Sequence, residues 1–292
     1  MGKLATLMST RKMNSSLDLT RLASAAAARA ADYLRGVERP ADPAAWGAKG
    51  RNDFVTDCDR AAEAIIADVL LAGEPGSTVL GEELSPTGTR GGLTWIVDPI
   101  DGTTNFVHGF PIFAVSIAAE VDGVLEGGVV LHVEPNRVYH ATRGHGAWCD
   151  ETRLEVSTIA TPGFALIGTG YPFKHPEQLE VYLTQFTRVA PATAGIRRAG
   201  SAALDLCWVA AGVFDGFWEL KLAPWDMAAG MLLVREAGGR VTDLEGGEVG
   251  AEHSGLVAGN PAIHAWLLET VGEALGPRRS GLSLRPGATR ES

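Results

Sequence analysis

The segment Trp95-Ile96-Val97-Asp98-Pro99-Ile100-Asp101-Gly102-Thr103-Thr104-Asn105 decides how the chain is read. An apolar strand from Trp95 to Val97 runs into Asp98, and Pro99 keeps the backbone extended or turning. The carboxylates of Asp98 and Asp101 therefore emerge together at a strand's end. Two acids held so close repel each other, and a cation between them removes the repulsion; hard oxygen ligands of this kind suit Mg2+. Gly102 allows a tight turn, and the amides of Gly102 and Thr103 can point at an anion if a helix starts there. Metal ligands and an anion cradle then lie within six residues, 98 to 103.

Two further acidic elements belong with it. Gly81-Glu82-Glu83 follows a short strand from Thr78 to Leu80, with Gly81 permitting the bend. Pro224-Trp225-Asp226 puts Asp226 at a helix start, where the helix dipole favours a carboxylate. Singly, each has a plainer reading: Glu82-Glu83 as a solvated turn, Asp226 as an N-cap, Asp98 and Asp101 as turn residues. Their combination favours a metal site.

Outward from these motifs, Ser16 to Leu34 is Ala-rich with Leu17, Leu22, Ala26 and Ala30 on one stripe, which predicts an opening helix. Thr56 and Asp59 have capping-box spacing and start a second helix that continues through Leu70. Short strands follow at Phe113 to Glu120, Val124 to Val133 and Val138 to Thr142. A helix from Ser201 to Ala211, a strand from Phe214 to Leu220, a helix from Trp225 to Ala237, a strand from Leu256 to Ala258 and a terminal helix to Leu275 complete the order. Such alternation predicts layered sheets and helices. Residues 1–16 and 276–292 read as disordered ends around one domain, 17–275, with an α+β half over about 17–150 and an α/β half over about 151–275.

The 292 residues can bury a sizeable core, and the formal charge of -10 argues against attraction to nucleic acid or an anionic membrane. A phosphate substrate would need bound cations to reverse the local sign. The three cysteines, Cys58, Cys149 and Cys207, form no CxxC pair, so a reduced, cytoplasmic compartment fits. No run of eighteen apolar residues and no signal-peptide pattern is present. P-loop, Rossmann, zincin and α/β-hydrolase signatures are missing too.

The strings Gly81-Glu82-Glu83, Trp95 to Phe106 and Trp225-Asp226-Met-Ala-Ala-Gly230, in this order and spacing, resemble the inositol monophosphatase family over roughly residues 17 to 275. The resemblance implies an α/β fold, the layered αβαβα sandwich that the family shares with fructose-1,6-bisphosphatase. It implies metal ligation by Glu82, Asp98, Asp101 and Asp226, and by the backbone oxygen of Ile100. Thr103 matches the threonine that, with the metal and Glu82, orients the attacking water, and Asp59 the acid that hydrogen-bonds it. Gly102 and Thr103 would also hold the phosphate. Ser201, Ala202, Glu219, Asp101 and Asp226 would contact the substrate, Glu219 through a ring hydroxyl, and Lys49 matches a mobile basic residue at the entrance.

Two Mg2+ ions would offset the four carboxylates, with a third, weaker Mg2+ near Glu82. Asp98 is then expected to bridge two metals, Glu82 to lie on the nucleophile side, and Asp101 and Asp226 on the leaving-group side. The resemblance further implies hydrolysis of inositol 1-phosphate, a homodimer and lithium sensitivity. Histidinol phosphate, fructose 1,6-bisphosphate and 3′-phosphoadenosine 5′-phosphate are the alternative substrates, since relatives that use them share the metal motifs. A binding role with transcription machinery, known for some bacterial members, has no mark in the sequence, and no direct nucleic-acid contact is expected.

Overall fold

The computed structural model describes residues 15–39, 47–50, 53–84, 91–249 and 254–272. The ends expected to be disordered lie outside these, apart from Ser15 and Ser16. Helix α1 (Ser16–Gly36) opens on a capping box formed by Ser15 and Asp18. Its buried stripe runs through Leu19, Ala23, Ala26, Ala27, Ala30 and Leu34, while Leu17, expected on it, is exposed. A small antiparallel pair, β1 (Gly47–Gly50) and β2 (Asp53–Val55), precedes α2 (Asp57–Gly73), which starts on the Thr56/Asp59 capping box read from the sequence.

The first large sheet contains β3 (Thr78–Gly81), β4 (Leu93–Asp101), β5 (Ala114–Val121), β6 (Val124–His132), β7 (Arg137–Thr142), β8 (Ala147–Cys149) and β9 (Thr152–Arg153), in that spatial order. A one-turn helix, α3 (Thr103–Val107), interrupts it after β4. Only the β3–β4 pair is parallel. The second sheet is built from β10 (Leu166–Thr169), β11 (Gly195–Arg197), β12 (Gly216–Leu222), β13 (Arg240–Thr242) and β14 (Ser254–Gly259), in the order β11-β10-β12-β14-β13. Its helices are α4 (Leu179–Val189), α5 (Ala202–Ala210), α6 (Pro224–Glu236) and α7 (Pro261–Gly272).

Three buried clusters define the layers. One joins α1 and α2 to one face of β4, β5 and β6 through residues such as Ala27, Ile66, Trp95, Val97 and Ile117. A second fills the space between the two sheets, with α5 and α6 in the middle and Ile96, Val130, Leu206, Leu233 and Phe217 among its members. The third packs α4 and α7 on the far face of the second sheet around Trp218, Val257 and Leu267. The layering is therefore α, β, α, β, α, the sandwich expected. Apolar burial of this extent is the main stabilising term of the fold.

The sequence reading missed β1, β2, β8 to β11, β13 and α4, and it ended the second motif strand too early. β4 does not stop at Val97 but continues to Asp101. The reason is a bulge: Asp98 pairs with Ser116 and Asp101 with Ala114, so three steps on β4 span two on β5. Pro99, which has no N–H to give a ladder, sits inside the irregular stretch.

Candidate functional site

The bulge sets the direction of the acids. In a regular strand, residues three apart point to opposite faces, so Asp98 and Asp101 would diverge. The extra residue restores the phase. Trp95, Val97 and Ile100 face the α1/α2 layer, whereas Ile96 faces α5 and α6. Asp101 does likewise, since its Oδ2 accepts from the Ser201 hydroxyl at 2.6 Å and the Ala203 amide at 2.7 Å, both at the start of α5. Asp226, in the first turn of α6, enters from the same middle layer.

One carboxylate oxygen from each of Asp98, Asp101 and Asp226 lies within 4.8 Å of the other two. Asp98 and Asp101 are buried, and Asp226 is half-buried in the cleft. Asp98 Oδ1 accepts from the Ile100 amide at 2.9 Å, and an Asp226 oxygen accepts from the Ala223 amide at 2.6 Å. The N-cap is therefore Ala223, and Asp226, read from the sequence as a cap, is the third helical residue, reaching back to the cap amide while belonging to the cluster. Burial holds Asp98 well above the usual carboxylate range, and the charges of Glu82, Asp101 and Asp226 push it further. Burial does the same to Asp226, with Glu82 and Asp101 adding repulsion. Asp101 is pushed up to about 6, chiefly by burial, against the lowering effect of its Ser201 and Ala203 bonds.

Glu82 follows β3, and its amide still donates to Val97 O at 3.2 Å, which keeps it beside β4 one residue before Asp98. Thr103 opens α3, with its hydroxyl 3.1 Å from both Asp59 Oδ1 and the Ile100 carbonyl oxygen. Asp59 is itself held by the Thr56 amide (2.7 Å) and hydroxyl (2.6 Å). Gly102 caps α3 at φ 98, and a Cβ there would meet the carbonyl oxygens of Ile112 (3.0 Å) and Gly200 (3.1 Å). Only glycine fits that turn.

Ser201 caps α5, Ala202 begins it, and Glu219 lies on β12. Glu219 keeps some solvent contact, yet protein atoms crowd it, and burial pushes it up to about 8 against the nearby charges of Arg198 and Lys174. Lys49 lies in β1, and its side chain is outside the described residues.

Three neighbours were not read from the sequence. Lys174 Nζ lies 4.0 Å from Glu82 Oε1, and Arg198 packs over the rings of Tyr171 and Phe173 near Glu219. Neither sits in a recognisable motif. Asn105, quoted but given no role, donates to Ile112 O at 2.6 Å and Ala199 O at 2.9 Å, tying α3 to the segment before α5.

Three acids crowded into one partly dry place cannot all ionise without a counter-charge. Protons or a cation can supply it. The donor set is carboxylate oxygen, so the residues fit a hard divalent cation and not a soft one.

Comparison with known proteins bears on this geometry. Residues 16–275 match the inositol monophosphatase family. The inositol-1-monophosphatase of Rhizobium meliloti is 48% identical over 224 residues, covering 76% of this chain and 84% of the relative. The Nus factor SuhB of Pseudomonas aeruginosa is 45% identical over 258 residues, 86% of this chain and 95% of the relative. Among solved structures, the inositol monophosphatase of Anabaena superposes with a TM-score of 0.79 at 31% identity, covering 88% of this chain and 96% of that one. Sequence, fold and an acidic cluster suited to a metal agree: the chain belongs to the inositol monophosphatase family, which is metal-dependent, and is a phosphatase.

Proposed function

We propose that this phosphatase is Mg2+-dependent and releases phosphate from inositol 1-phosphate by direct attack of water, without a covalent phosphoenzyme. The observation that carries the metal dependence is the meeting of Asp98, Asp101 and Asp226 oxygens within 4.8 Å. Glu82, Asp98, Asp101, Asp226 and the Ile100 carbonyl would hold two Mg2+ ions, with a third near Glu82. When bound, the metal supplies charge neutralisation for the phosphoryl group and makes a water acidic enough to attack.

The chain's own residues do the rest. With its proton directed at Asp59 or Ile100 O, the Thr103 hydroxyl offers lone pairs that accept an O–H of the attacking water. Glu82 accepts the other. Gly102 and Thr103 amides hold the phosphate, while Ser201 fixes Asp101 and Ala202 lines the alcohol side. Glu219 accepts a ring hydroxyl of the substrate.

Histidinol phosphate, fructose 1,6-bisphosphate and 3′-phosphoadenosine 5′-phosphate are the competing substrates, and phosphate release from all four in Mg2+ decides among them. Preference for inositol 1-phosphate is expected; preference for another replaces the substrate and keeps the chemistry. Glu219→Gln is expected to lower kcat/KM for inositol 1-phosphate by about tenfold or more. β-Glycerophosphate, which has no ring, should be hydrolysed as before. Equal loss on both would remove Glu219 from ring recognition.

The same reading takes residues 17–275 as one phosphatase domain that works as a lithium-sensitive homodimer in the cytoplasm. Among the described residues no helix is long and apolar enough to cross a membrane. A relative named Nus factor suggests a transcription partner. The net charge of -10 favours a protein over nucleic acid in any such contact.

A further inference from the structure

Helix α2 sends two buried carboxylates toward the site. Asp59 meets the Thr103 hydroxyl. Glu63, four residues on, lies on the same helical face about 6 Å along the axis. It is 1% exposed, its Oε2 accepts the Glu83 amide at 2.7 Å, and its Oε1 accepts the Leu84 amide at 3.0 Å. These amides follow directly on the last one that β4 satisfies, since the Glu82 amide donates to Val97 O. A carboxylate receiving two N–H groups makes charge-assisted bonds, stronger than neutral ones.

Glu63 also explains Gly81. A Cβ on Gly81 would lie 2.1 Å from Glu63 Oε1. Gly81 is not among the glycines of positive φ, so space for the carboxylate, and not freedom to bend as the sequence suggested, excludes a side chain there.

We propose that Glu63 is a positioning residue for Glu82. It pins the turn carrying Glu82, while Asp59 on the same helix pins Thr103. Helix α2 thereby fixes the separation between the acid and the hydroxyl that share the attacking water. The catalytic consequence rests on Glu82 being a metal ligand; the pinning of the turn does not.

Glu63→Gln tests it. The variant is isosteric but turns one acceptor into an NH2 group facing an amide donor. Amide exchange at Glu83 and Leu84 in the metal-free protein should quicken about tenfold, with β5 amides unchanged. Mg2+ affinity by calorimetry and kcat should each fall about 10- to 100-fold, with KM little altered. Unchanged exchange at the two amides, or faster exchange in equal measure throughout the sheet, would overturn the proposal.

Should the amide variant fail to fold, Glu63→Asp keeps the charge, withdraws it by one methylene, and is read by the same three measurements with the same expectations. If the wild-type chain shows no Mg2+-dependent phosphate release, the proposed function fails, while the exchange result still decides what Glu63 does.

Discussion

Asp98→Asn is expected to cut Mg2+-dependent phosphate release by about a thousandfold or more and to leave a folded protein. Asp98 sits in the bulge of β4, with a carboxylate oxygen within 4.8 Å of one from each of Asp101 and Asp226, and would help to hold the metal. The amide can still accept from Ile100 N–H through its oxygen, so the local backbone keeps its bond. It cannot supply the negative charge. Removing a buried carboxylate that Glu82, Asp101 and Asp226 repel should also raise the Tm of the metal-free protein. Phosphate release and thermal unfolding of the variant read both effects. Full activity would dismiss Asp98 as a ligand, and a lowered Tm without metal would contradict the repulsion.

The second large effect concerns pH. The folded-state pKa of Asp101 is raised from 3.8 to about 6, and those of Asp98 and Asp226 lie well above the usual carboxylate range. A raised carboxyl binds more protons folded than unfolded, so its stabilising contribution is present below the unfolded value and is lost as pH rises. For Asp101 the loss runs from about pH 4 to about pH 6. Asp98 and Asp226 continue it to higher pH. Metal-free protein should therefore lose stability from pH 4 upward.

Mg2+ competes with those protons, so its stabilising effect should grow over the same range. At a hundred times its dissociation constant the gain is about 2.7 kcal/mol, or about 5–10 °C in Tm for a chain of this size. Thermal unfolding with Mg2+ and with chelator, at pH 5 and pH 8, measures it. A larger Mg2+ increment at pH 5 than at pH 8 would contradict the carboxylate site.

Much of this site is local chemistry and therefore legible in sequence. The Thr56/Asp59 box, the strand into Asp98 and the helix start at Asp226 are signals carried by adjacent residues. The bulge is not, because it is a property of pairing between β4 and β5. Strand β10 is four residues, Leu-Ile-Gly-Thr, stabilised by distant partners on β11 and β12, and helix α4 is hidden between Pro172, Pro176 and Pro191. Glu63 left one clue, its spacing of four from Asp59, but its target lies twenty residues on, at Glu83. Lys174 and Arg198 reach the cleft only through tertiary packing.

Phosphate release from inositol 1-phosphate with Mg2+, after chelation, and after Mg2+ is restored tests the metal-bound acid cluster most directly. Activity that disappears with the chelator and returns with Mg2+ is the expected result. Turnover that survives chelation would contradict it.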